Sequence, residues 1–231
     1  MTWTVALALR PLGQGKRRLS PHLTREERGE LALAMGQDVI AATRATPSVG
    51  QVVVVTPDGQ LADLLGRGVT VLRERRAAGL NEAYLRARQW AGERPLAFVA
   101  ADLPQLRPDD LAAAFAAAEE LAGPVMAADC EGVGTTLLAA ARAGWLRPRF
   151  GPGSRVLHLA DGVVDLSERS RATVRHDVDT LAALSALRES SEVGEMTARW
   201  LDRHAGQLLA DRRPCPHCTP QRGRVPGLLS S

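Results

Sequence analysis

Short apolar runs of β type alternate with helical stripes over most of this chain. Candidate strands fall at 4–9, 51–55, 69–72, 96–100 and 125–128. The run 52–55 is four valines, which fits a strand buried on both faces. Thr24 and Glu27 stand in capping-box spacing before the apolar stripe Leu31, Met35, Val39. Pro108 suits a first helical turn, with Asp109 and Asp110 at the positive end of the dipole. Gly123 is placed to close that alanine-rich helix. A last helical pair is predicted over 180–187 and 193–209. Strand–helix alternation at these spacings predicts an α/β fold, Rossmann-like, with a mostly parallel sheet flanked by helices.

Glycines at 132, 134, 144, 151, 153 and 162 punctuate a looser stretch after residue 130. The pattern divides the chain into one domain over 1–210 and a polar tail over 211–231. The tail holds four prolines from Pro214 onward and has no periodic apolar face, so it reads as flexible. The 231 residues, 45% hydrophobic, suffice for one sizeable core. No apolar run reaches the length of about 18 residues that a membrane span requires. The N-terminus has no signal-peptide pattern. Cys130, Cys215 and Cys218 are too few for a disulfide framework, and a cytoplasmic location is expected. Cys215-Pro216-His217-Cys218 resembles half a zinc site with no second pair to complete it.

A net charge of +3 demands no nucleic-acid partner, and the tail lacks aromatic residues for base stacking. The distribution of cations says more than their sum. Of 29 Lys plus Arg, Lys16 is the one lysine, and it sits in the loop Arg10-Pro11-Leu12-Gly13-Gln14-Gly15-Lys16 after the first strand. Ligands of open α/β sheets bind beyond the carboxyl ends of the strands, where this loop lies. Its glycines and cations suit a phosphate chain, although it is neither G-x-G-x-x-G nor a Walker loop.

Asp102 directly follows an apolar strand, where a carboxylate is costly unless it is exposed or binds a cation. A turn or cap role before Pro104 is the structural alternative. Asp177 and Asp179 share a side of an extended segment. Asp179 is read either as a cap for the helix starting near Thr180 or as a second ligand. Gly132-Val133-Gly134-Thr135-Thr136 and Arg149-Phe150-Gly151-Pro152-Gly153-Ser154-Arg155 each combine glycines with a hydroxyl. Ser154 is expected to open a short helix, a seat for a second anion. His158 and His176 read as packing or hydrogen-bonding residues, since no Ser-His-Asp spacing is present.

Taken in order, K-R-R-L (16–19), G-L-N-E-A (79–83), A-D-L-P-Q-L (101–106), G-V-G-T (132–135), R-F-G-P-G-S (149–154) and D-V-D-T (177–180) resemble one family. It is the phosphoenolpyruvate and 2-phospho-L-lactate guanylyltransferases that begin assembly of the deazaflavin coenzyme F-420. The resemblance implies a single-domain nucleotidyltransferase fold and a reaction that uses Mg2+ held by Asp102 and Asp177. It implies that Lys16 acts with these two aspartates in catalysis. It places the three-carbon acid at Thr135, Gly151 and Ser154, and turns Arg10, Lys16 and Asn81 toward GTP. The implied reaction transfers GMP to phosphoenolpyruvate, releasing pyrophosphate and forming enolpyruvoyl-2-diphospho-5'-guanosine. The alternatives are 2-phospho-L-lactate or 3-phosphoglycerate as acceptor, or transfer to a molybdopterin or sugar phosphate. GTP and a small phosphorylated acid are thus the expected partners, with no nucleic acid or membrane, in a monomer or homodimer. Arg10 stands where many relatives carry lysine, and Gly153 where some carry an acidic residue.

Overall fold

A computed structural model describes residues 1–65, 68–76 and 78–205. The CPHC segment and the tail lie outside the described residues, as does the end of the predicted last helix. Seven strands form one sheet: β1 (Trp3–Ala8), β2 (Val49–Thr56), β3 (Val69–Arg73), β4 (Leu96–Val99), β5 (Val125–Ala127), β6 (Leu137–Ala140) and β7 (Val164–Asp165). Their order across the sheet is β3-β2-β1-β4-β6-β5-β7. The first four strands pair in parallel, while β6 runs antiparallel to both β4 and β5. The sheet is therefore mostly parallel, as the alternation implied. Neither β6 nor β7 was legible: β6 is Leu-Leu-Ala-Ala with no β-branched residue, and β7 is two residues long.

Period-two alternation sorts the strand side chains into two apolar layers. Val5, Leu7, Val52, Val54, Ala97 and Val99 face one side, against α1 (Arg25–Ala45) and α4 (Pro108–Glu120). Ala6, Val53, Val55, Leu96 and Phe98 face the other, against α3 (Leu80–Ala91). All four valines at 52–55 are at most 2% exposed, as a doubly covered strand requires. Each contributes about 1.5–3 kcal/mol through burial. Trp3 stacks on Phe115 at 4.4 Å and donates its indole N–H to Glu119 at 2.8 Å, tying β1 to α4.

The remaining helices are α2 (Gly59–Leu64), α5 (Ser154–Ala160), α6 (Leu181–Leu187) and α7 (Glu195–Arg203). The capping box of α1 is present in both directions: Thr24 Oγ1 accepts from Glu27 N, and Glu27 Oε2 accepts from Thr24 N at 2.7 Å. Pro108 opens α4, but Gly123 does not close it. The helix ends at Glu120, and the left-handed turn falls on Ala122, at φ 47°. A small side chain tolerates that conformation, so the reversal is complete before Gly123 is reached. A third apolar cluster packs α6 and α7 on α1 around Trp200. There Asp38 of α1 caps α7, accepting from Met196 N at 2.9 Å and Thr197 N at 2.8 Å. Among the described residues no helix is long and apolar enough to cross a membrane.

One consequence of the strand order positions the site. Leu137 at the start of β6 pairs with Val99 at the end of β4 and with Ala127 at the end of β5. Because β6 is reversed, the β5–β6 connection lies on the same sheet edge as the carboxyl ends of β1 and β4. The Gly132–Thr136 segment is thereby brought beside the Lys16 loop and Asp102.

Candidate active site

Asp102 lies just beyond β4, and Asp177 and Asp179 lie in the extended approach to α6. A main-chain bond joins the two segments, with Val178 N donating to Asp102 O at 3.1 Å. One carboxylate oxygen from each of Asp102, Asp177 and Asp179 lies within 4.8 Å of the others. Thr180, rather than Asp179, caps α6, its side chain accepting from Ala183 N at 3.2 Å. The cap reading of Asp179 is therefore corrected: β-branched Thr180 occupies the cap, which leaves Asp179 free to turn toward the cluster.

Lys16 completes this group. Its backbone is left-handed, φ 54° and ψ 43°, which aims the side chain inward from the loop. Its ammonium contacts Asp102 and reaches Asp179 Oδ1 at 2.7 Å, and the side chain is only 7% exposed. Burial works against the charge of Lys16, but Asp102 and Asp179 outweigh it and raise its pKa. The Asp179 carboxyl is lowered: burial opposes its ionisation, and Lys16 with help from Arg18 and Arg10 prevails. At Asp177 the charge of Lys16 acts in the same direction but is outweighed. Burial and the neighbouring charges of Asp102 and Asp179 push its carboxyl up to about 7. The lone lysine is thus engaged with Asp102 and Asp179.

A second constellation faces this one. Asp129 accepts from Val133 N at 2.9 Å and Gly134 N at 2.7 Å, folding the Gly132–Thr136 turn around its carboxylate. A Cβ at Gly134 would overlap that carboxylate. Arg175 braces the same turn, donating to the carbonyls of Ala128, Ser167 and Asp129. The first-turn amides of α5 are likewise committed. Ser154 N donates to Gly151 O, Arg155 N to Val133 O and Val156 N to Gly153 O. The expectation that the start of α5 seats an anion through its amides is corrected: those donors are spent within the two loops.

Hydroxyls remain available here. Ser154 Oγ donates to Thr135 Oγ1 at 2.9 Å, and Thr135 Oγ1 lies 3.0 Å from His158 Nδ1. Asn81 was expected to face a nucleotide. Its amide is instead committed to the main chain of Phe150, donating to the carbonyl at 3.0 Å and accepting from the N–H at 2.7 Å. It is a strut for the Arg149–Ser154 loop. Gly151, at φ 132°, has open space where a Cβ would be, so backbone conformation rather than crowding by the protein demands glycine there.

Both constellations line one cavity of about 900 Å3. Arg10, Lys16, Asp102, Asp177 and Asp179 form one wall, and Thr135, Gly151 and Ser154 another. Tyr84 also lines it, stacked on Phe98 at 4.4 Å and donating its hydroxyl to Val99 O. Of the residues expected to hold metal, nucleotide or acid, all but Asn81 line this space. Asp129 and Arg175 were missed, while His158 packs and hydrogen-bonds as expected. Asp129 follows an apolar strand as Asp102 does, and that was the available signal.

A sheet of this topology, with an acidic cluster and a lysine at its carboxyl edge, suits a nucleotidyltransferase. Comparison with known proteins narrows the class. A nucleotidyl transferase from Methanothermobacter thermautotrophicus has the same fold, with a TM-score of 0.61 at 19% identity, covering 81% of this chain and 96% of that one. The phosphoenolpyruvate guanylyltransferase of Streptomyces coelicolor is 40% identical over 185 residues, 78% of this chain and 87% of its own length. That of Salinispora arenicola is 41% identical over 187 residues, 79% of this chain and 86% of its own. Residues 4–164 match the family described as Guanylyl transferase CofC like, and the chain belongs to that family.

Proposed function

We propose that this protein transfers GMP from GTP to phosphoenolpyruvate, releasing pyrophosphate, in the cytoplasm. The observation that carries the reading is the sharing of one cavity by a cationic, carboxylate-bearing wall and a separate hydroxyl-bearing wall. Two anionic reactants need two such seats. The names of the Streptomyces and Salinispora relatives support phosphoenolpyruvate as the acceptor.

The reaction follows from charge. An oxygen of the acceptor phosphate bonds to the α-phosphorus of GTP as the α–β anhydride bond breaks. That oxygen is already ionised at neutral pH, so no side chain has to remove a proton from it. Arg10 and Lys16 offset charge on the β- and γ-phosphates. The Thr135 and Ser154 segments hold the acid in line, an orientation effect.

The donor set suits a hard divalent cation: three carboxylates, each with an oxygen within 4.8 Å of the others, and no sulfur or imidazole among them. Asp102, Asp177 and Asp179 would hold Mg2+, which would orient both phosphates and offset developing charge. Lys16 pairs with two of these carboxylates and offsets one of their negative charges.

The test is mass spectrometry of products from GTP, magnesium and each of phosphoenolpyruvate, 2-phospho-L-lactate and 3-phosphoglycerate. The guanylylated enolpyruvate should dominate. If phosphoenolpyruvate is the poorest acceptor, the acceptor assignment fails while guanylyl transfer stands. If no acid yields product, the transfer reading fails as well.

A further inference from the structure

We propose that His158 is a positioning residue for the acceptor acid, donating its Nδ1 proton to Thr135 so that the Thr135 hydroxyl presents its own proton to the cavity. The inference rests on the reading of the Thr135 segment as the seat of the acid.

The ring proton can be assigned by elimination, and the proposal takes the Ser154 hydroxyl as the donor to Thr135. Arg149 N donates to His158 Nε2 at 3.1 Å, so Nε2 carries a lone pair. A neutral imidazole with an acceptor at Nε2 has its proton on Nδ1. Nδ1 lies 3.0 Å from Thr135 Oγ1, which therefore accepts from it. Ser154 Oγ donates to the same oxygen at 2.9 Å. A hydroxyl has two lone pairs and one proton. Both lone pairs are occupied, and among the described residues no acceptor engages the remaining proton. Thr135 lines the cavity, and its proton has that space to enter.

This polarity suits the proposed ligand. An unconstrained hydroxyl can turn either a proton or a lone pair toward an anion, and only the proton attracts. The amides of Val133, Gly134, Ser154, Arg155 and Val156 cannot substitute, because they are already bonded within the protein. The Thr135 hydroxyl is the side-chain donor that this wall presents to the cavity.

The imidazole is held for the task. His158 is fully buried, with Phe150 edge-on at 5.2 Å, and Asn81 secures the main chain of Phe150 from α3. Burial keeps the ring neutral at physiological pH, with its pKa down to about 4. Asp161 opposes this shift and Arg149 reinforces it.

Two substitutions separate the functions of the two ring nitrogens. His158→Gln carries an amide near the Nε2 position and keeps the bond to Arg149, but loses the donor to Thr135. His158→Asn carries its amide near Nδ1 and keeps that donor, but loses the bond to Arg149. His158→Gln should raise KM for the acid about tenfold to a hundredfold, the loss expected for a bond to a charged group. KM for GTP and the melting temperature should hold, and His158→Asn should recover most of the loss. On a Thr135→Val background, His158→Gln should cost nothing further. Additive losses, or recovery by Gln and not by Asn, would overturn the proposal and reduce His158 to a loop anchor.

A second readout is independent of turnover. Two-bond proton–nitrogen correlation spectra of the 15N-histidine-labelled full chain report the tautomer directly. The neutral Nδ1–H form is expected at pH 7, and an Nε2–H or doubly protonated ring sinks the inference. If the wild-type chain transfers GMP to none of the three acids, the functional reading fails, and the spectrum still decides whether His158 donates to Thr135.

Discussion

The ammonium of Lys16 and the carboxylate of Asp179, 163 residues apart in sequence, meet at 2.7 Å. With Asp102 on the same ammonium, a lysine occupies the centre of the group best suited to hold a divalent cation. Two cations that share three carboxylates compete for them.

That competition is measurable by thermal shift. Lys16→Met removes the ammonium and leaves the carboxylates to repel one another, so the variant should melt lower than the wild type without magnesium. Millimolar magnesium should then raise its melting temperature more than that of the wild type. Equal shifts would mean that Lys16 and the metal do not contend for the same oxygens. Turnover of the variant should fall at least about a hundredfold if the lysine also offsets phosphate charge.

The three aspartates should behave alike. Thr180 supplies the cap of α6, so Asp179→Asn spares the helix and removes only a member of the cluster. Asp102→Asn, Asp177→Asn and Asp179→Asn should each lower kcat at least about a hundredfold, with melting temperatures retained. A near-normal kcat for Asp179→Asn would show that two carboxylates suffice.

Asn81 tests the division of the cavity. Its amide matches the main-chain donor and acceptor of Phe150, and Asn81→Asp turns one of those bonds into a repulsion between two oxygens. The Arg149–Ser154 loop should loosen, raising KM for the acid about tenfold or more. KM for GTP should move little. The opposite split would restore Asn81 to the nucleotide side.

The acid limb of stability should carry the signature of His158. Its folded pKa of about 4 lies below the ordinary 6.5, so protons favour the unfolded chain. The sign follows: stability is undiminished above pH 6.5, is lost as pH falls, and reaches its floor below about pH 4. The full effect is about 3 kcal/mol. The advantage of wild type over His158→Asn in chemical denaturation should therefore be larger at pH 7 than at pH 4. A pH-independent difference would place the proton elsewhere.

Much of this protein was legible in its residues because the relevant physics is local. The buried valines at 52–55, the Thr24–Glu27 box and Pro108 at the head of α4 depend on neighbours within one element. The separate motifs also named Asp102, Asp177, Lys16 and Thr135 before any of them had a position in space. What they could not carry was direction and partnership. A short run such as Leu137–Ala140 has the same pattern whichever way it runs, and only pairing with β4 and β5 reversed it. That reversal placed Thr135 across the cavity from Asp102. The same holds for single atoms. Whether Asp179 caps a helix or meets Lys16, and whether Asn81 faces a ligand or Phe150, turns on contacts across 163 and 69 residues. Such contacts are settled by the packing of whole elements, because a polar side chain bonds to whichever partner the fold brings within about 3 Å.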